Sequence, residues 1–168
     1  MSPAVHQLLL DAEKCTEKCR AKPQALILSV DKYESPAMQG HPVESNADSL
    51  DRALLQLGWD PKRERNLGLE ETRKAIHEFA AEVARSGAAC LLAFIGHGIK
   101  TGGDIFLLPS DATGCEGGLR LAEVQEMFAG RGGDASKESG LMVFLLDCTR
   151  SVLPCSVSQV VAGGGAAR

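Results

Sequence analysis

Two short stretches carry the residue types that do chemistry. Residues 96–98 read Gly-His-Gly, directly after the apolar run "ACLLAFI" (89–95). Residues 147–151 read Asp-Cys-Thr-Arg-Ser, directly after "LMVFLL" (141–146). An imidazole can take and return a proton near neutral pH. A thiol or hydroxyl can attack a carbonyl once a neighbouring base or charge activates it. The competent sulfur species is the thiolate, and a free thiol has a pKa of about 8.5. Threonine is a weaker nucleophile and serves where a terminal amine or strong base assists it. His97, Cys148 and Thr149 are the candidates for nucleophilic chemistry, flanked by Asp147 and Arg150. Bland readings stand beside these. His97 can be a loop histidine between two glycines, Cys148 a buried structural thiol, and Asp147 a strand-end carboxylate paired with Arg150.

Positioning such groups requires a scaffold, and the pattern of apolar residues outlines one. "ALILSV" (25–30), "ACLLAFI" (89–95) and "LMVFLL" (141–146) are short runs, apolar on both faces, as buried strands are. "DIFLLP" (104–109) is a shorter strand closed by proline. Amphipathic helices separate them. "SNADSLDRALLQLGW" (45–59) opens on a capping-box-like Ser45 and Asp48 and carries a stripe of Ala47, Leu50, Leu54 and Leu57. "LEETRKAIHEFAAEVARSG" (69–87) groups Leu69, Ile76, Phe79, Ala80 and Val83, with acids at its start, Arg85 at its end and Gly87 as a stop. "LRLAEVQEMF" (119–128) is a third. Residues 33–45, with Pro36, Gly40 and Pro42, read as loop, and the densest basic cluster, "PKRERN" (61–66), as a solvated loop. A looser helical stripe runs through Val5, Leu8, Leu9, Ala12, Cys15 and Cys19.

Buried strands alternating with helices predict an α/β fold: a mostly parallel sheet with helices on both faces, in three layers. Chemistry in such sheets gathers at the carboxyl ends of the strands. If the strands ending near 96 and 147 are neighbours, imidazole and thiol or hydroxyl lie side by side.

The order of these motifs resembles the large-subunit half of caspase-like cysteine peptidases, closest in look to paracaspases and metacaspases. The residues that carry it are "LLAFIGHGIKTGGDIFLLPSDA" (91–112) and "GLMVFLLDCTRS" (140–151), with "ALILSVDKY" (25–33) and "NADSLDRALLQLGW" (46–59) as the first strand and crossover helix. The resemblance covers residues 24–151. It leaves 1–23 as an N-terminal helical extension and 152–168 as a short tail, with the family's small-subunit half absent. It implies peptide-bond hydrolysis by a Cys-His mechanism with His97 at the histidine position. The glycines beside it would let the chain turn sharply, and Gly98 would lend an amide to the oxyanion hole. It also puts Thr149, not Cys148, at the nucleophile position. The family branches that cut after Arg or Lys use an acidic pocket; Asp147 matches one of its carboxylates, Asn46 stands where the other would be, and Asp48 comes two residues late.

Two functions follow. One is a cysteine endopeptidase, impaired or conditionally active, using Cys148 with His97 and selecting a basic residue through Asp147 and Asn46. The other is a catalytically inactive relative that binds a peptide, a protein or a further copy of itself through the groove or an open sheet edge.

Composition bounds the rest. A chain of 168 residues suits one domain and buries roughly 70% of its unfolded surface without disulfides or metal. Net charge −4 gives no electrostatic reason to expect nucleic acid or an acidic membrane. No apolar stretch approaches the roughly 20 residues that span a bilayer. Six irregularly spaced cysteines read as reduced thiols and point to the cytoplasm. No cofactor is expected. Some metacaspases need calcium, but no EF-hand-like spacing is present. Cys15 and Cys19 lack a completing pair for a metal. His6, His41 and His77 read as surface histidines, and Asp111 as a turn or cap residue.

Overall fold

The apolar runs become the centre of one mixed sheet. A computed structural model describes residues 21–38, 43–114, 117–129 and 141–150. The expected N-terminal helix, the C-terminal tail, Cys15, Cys19, His6 and His41 lie outside the described residues. The six strands among them are β1 (Gln24–Ser29), β2 (Asp60–Arg65), β3 (Cys90–Thr101), β4 (Asp104–Leu107), β5 (Leu119–Arg120) and β6 (Met142–Arg150). Three α-helices accompany them: α1 (Val43–Gln56), α2 (Leu69–Ser86) and α3 (Leu121–Ala129).

The strand order is β2-β1-β3-β4-β5, with β6 also paired to β3. The β1–β2, β1–β3 and β3–β6 pairs are parallel; β3–β4 and β4–β5 are antiparallel. The parallel character therefore holds for the crossover core and gives way where β3 turns back on itself through Gly102 and Gly103, both at positive φ. Ten successive residues of β3, Cys90 to Ile99, are buried, as a strand covered on both faces requires.

Two apolar clusters form the outer layers with the sheet. Ala25, Ile27, Leu91, Ala93 and Ile95 pack under Val43, Ala47, Leu50 and Leu54 of α1. Leu26, Leu28, Leu92 and Phe94 pack under Ile76 and Phe79 of α2 and Val124 of α3. On that second face Phe128 sits edge-on to both Phe79 and Phe144, at centroid distances of 6.2 and 5.8 Å. Each such pair adds about 0.5–1.5 kcal/mol beyond area burial, and together they fasten β6 to both helices.

Local chemistry sets the helix ends. Gly68 N–H donates to Glu71 Oε2 at 3.0 Å, and Leu69 N–H donates to Asp111 Oδ1 at 2.9 Å, so Asp111 caps α2 from a distant loop. Gly87 ends α2 in the left-handed region, φ 68°, with its N–H on Val83 O. Helix α1 begins at Val43, not Ser45, so the expected capping box falls inside its first turn.

The segment read as a solvated loop, 61–66, is largely strand: β2 is the sheet's charged edge. Its charges are paired. Arg63 bonds Asp48 at 2.5 Å and Glu44 at 2.7 Å, and Arg65 bonds Asp31 at 2.7 Å. Charged residues and Pro61 on an exposed edge also discourage further strands from adding there.

Candidate active site

Strand β3 outlasts its neighbour. The ladder with β1 ends at the Ser29–Ile95 pair, and Val30 N–H adds one more bond to Ile95 O at 2.9 Å. Beyond this point β1 has left the sheet, yet the next backbone groups of β3 are still satisfied. His97 N–H donates to the Tyr33 hydroxyl at 2.7 Å. His97 C=O accepts from Leu108 N–H at 3.1 Å. A phenol thus stands in for the missing strand, as a buried peptide group demands.

The two glycines do not make the expected turn. Neither has positive φ, and β3 runs straight through both. They make room instead. A Cβ at Gly96 would stand 2.7 Å from Tyr33 Oη, and one at Gly98 would stand 3.0 Å from Cys148 Cβ and 3.2 Å from its Sγ. Gly98 is the junction of the site, paired with Leu107 of β4 and with Arg150 of β6.

His97 is only 4% exposed. Its Nε2 lies 2.9 Å from Met38 O. A carbonyl oxygen only accepts, so Nε2 carries a proton, which leaves Nδ1 as the basic nitrogen whenever the ring is neutral. The Tyr33 ring meets the imidazole edge-on, 5.0 Å between centroids at 80°. Burial drives the Tyr33 hydroxyl well above its ordinary pKa, so it stays a neutral phenol.

Strand β6 runs on past Leu146 to Arg150, so the Asp-Cys-Thr-Arg stretch is strand and alternates. In the parallel ladder Gly96 pairs with Cys148, His97 with Thr149 and Gly98 with Arg150. The register partner of the histidine is therefore position 149. Cys148 packs with Phe144 and Leu146 against the cluster under α2 and α3. Burial, reinforced by the Asp147 charge, pushes its thiol up to about 11.

The residue before it behaves oppositely. Asp147 is exposed and accepts a hydrogen bond from Asn46 Nδ2 at 2.9 Å, joining residues 101 apart in sequence. The two residues expected to recognise a basic side chain are thus in contact at the mouth between α1 and β6. Asp48, by contrast, is committed to Arg63. No group of three or more His, Cys, Asp or Glu residues suited to a metal occurs among the described residues. Among them, too, no helix is long and apolar enough to cross a membrane. His77 is exposed on α2.

Sequence reasoning singled out His97, Asp147 and Asn46 but assigned no partners to the imidazole. Tyr33, the chain's single tyrosine, was a visible signal just after a buried strand; the Met38 carbonyl, being backbone, left none.

These features agree with the comparison to known families. The caspase domain family matches residues 22–162. The chain belongs to that family, and its fold is the caspase-like peptidase fold. No curated protein matches the chain.

Proposed function

We propose that this caspase domain recognises an extended peptide through a basic residue and is impaired in cleaving it. The observation that carries the reading is the β6 register. His97 pairs with Thr149, while Cys148, one position off, packs with Phe144 and Leu146 in the cluster under α2 and α3, its thiol raised to about 11. At that value the thiolate fraction at pH 7 is about one in ten thousand. Recognition is better provided for than chemistry. Asp147 offers a carboxylate for a charge-assisted bond to a guanidinium or ammonium, held in place by Asn46. This is the specificity of the paracaspase and metacaspase branches, with one carboxylate where they have two. The free thiols of Cys90 and Cys148 suit a cytoplasmic setting.

An active enzyme using Cys148 would need β6 to slip by one residue. Such a slip turns every side chain of the strand to the other face. It would take Asp147 off Asn46 and move Phe144 and Leu146 out of the cluster under α2 and α3.

The test is covalent labelling with a peptidyl ketone electrophile ending in arginine, read by intact mass. The wild-type chain stays unlabelled. Thr149→Cys, which sets a thiol opposite His97, gains one adduct, and adding His97→Ala slows its formation. Rapid labelling of the wild type at Cys148, with arginine-peptide hydrolysis lost in Cys148→Ala, would overturn the proposal.

A further inference from the structure

The imidazole is held by one short piece of chain. Residues 31–38 leave β1, supply the Tyr33 hydroxyl to His97 N–H, and end in the 3-10 turn Pro36–Met38, whose last carbonyl takes His97 Nε2. The two partners this piece gives His97, Tyr33 and Met38, lie five residues apart. What holds the strap itself is elsewhere. Asn66, just past β2, accepts from Asp31 N–H at 2.9 Å and from Lys32 N–H at 3.1 Å through a single oxygen, Oδ1. Its own N–H is fixed to Ser29 O at 2.8 Å. Arg65 grips the Asp31 carboxylate with Nε at 3.2 Å and Nη2 at 2.7 Å. Glu34 N–H bonds Ser110 O at 3.0 Å, midway along the strap.

Asn66 occupies the left-handed region, φ 53°, and is the one non-glycine residue there among the described residues. A side chain other than asparagine's or aspartate's pays a conformational cost at such a position. In this conformation its carboxamide reaches back to two successive amides of the strap.

From this geometry we propose that Asn66 and Tyr33 are positioning residues for His97: Asn66 anchors the 31–38 strap, and the strap fixes the tautomer and orientation of the imidazole. The inference depends on the reading of the site only for its consequence in catalysis; the test reads the ring directly, so an error in the assigned function leaves the test intact.

The experiment is NMR on the full, nitrogen-15-labelled chain. The wild-type ring shows one fixed Nε2–H tautomer in a long-range proton–nitrogen spectrum. Asn66→Gly keeps the left-handed backbone, which glycine adopts freely, and removes the acceptor. It gives an exchange-averaged ring and at least about tenfold faster His97 amide exchange, as does Tyr33→Phe. Asn66→Asp, which keeps an acceptor, returns the wild-type signature. Leu54→Val, a core change on the other face, leaves it unaltered. In the wild type, moreover, the Asp31, Lys32 and His97 amides exchange through one opening, at protection factors within about twofold of each other. That measurement needs no variant. An unchanged ring in Asn66→Gly, an equal change in Leu54→Val, or unrelated protection at the three amides would overturn the proposal.

Discussion

Replacing Gly96 by alanine tests the packing around His97 most directly. The new methyl would stand 2.7 Å from Tyr33 Oη, 3.3 Å from Phe94 Cε1 and 3.4 Å from Val30 O. The phenol must retreat, and in doing so it leaves His97 N–H. Overpacking costs about 1–3 kcal/mol, and the lost hydrogen bond about 1 kcal/mol. The stiffer unfolded chain returns about 0.4–1 kcal/mol. The net expectation is a loss of about 1–3 kcal/mol. Tyr33→Phe alone, by stranding a buried N–H, costs about 1–2 kcal/mol. The double variant is the decisive one. With the hydroxyl gone the methyl has room, apart from the fixed Val30 carbonyl, and the hydrogen bond is lost only once. Its cost should be close to that of Tyr33→Phe alone, a coupling of about 1–3 kcal/mol, equal in size to the Gly96→Ala loss. Urea unfolding reads all four proteins; with a slope of about 2 kcal/mol per molar, 2 kcal/mol moves the midpoint by about 1 M. Effects that add to within about 0.5 kcal/mol would refute the claim that methyl and hydroxyl compete for one space.

Two further outcomes follow from the site. Iodoacetamide should modify Cys148 at least about a hundredfold more slowly at pH 7 than an unperturbed thiol, with a rate that keeps climbing to about pH 11; a plateau near pH 8–9, followed by mass spectrometry, would contradict the burial argument. Asn46→Asp should tighten binding of an arginine peptide by roughly 3–10-fold at low salt, fading as salt screens the exposed pair; isothermal titration measures it. The same variant sets two carboxylates side by side, so it should be less stable than the wild type above the carboxylate range and recover on acidification, the carboxyl raised by its neighbour taking up a proton.

How much of this was readable in the residues depends on what each element buries. Helix α2 was legible to within a residue, because its apolar stripe, acidic start and Gly87 stop all agree. The central strands were legible as apolar runs, while the adjacency of their carboxyl ends stood only as a condition, which the β3–β6 pairing meets. Strand β2 was not: as an edge it carries Asp60, Lys62, Arg63, Glu64 and Arg65, which spell loop to any reading based on hydropathy, and its reason for being a strand lies in acids on α1 and the β1 exit. Glycines 96 and 98 spelled a turn for the same local reason; the crowding that requires them comes from Tyr33 and Cys148, 63 and 50 residues away. Asn46 and Asp147 were paired only through the family resemblance, since nothing in either neighbourhood announces a contact across 101 residues.

The two-residue period of β6 makes the chemistry of this domain a question of parity. Which residue shares a rung with His97 is decided by its count of steps from Leu146, three for position 149 and two for Cys148. Inserting a single codon between Asp147 and Cys148 would carry the sulfur to the ladder rung opposite His97 and leave every rung before it untouched.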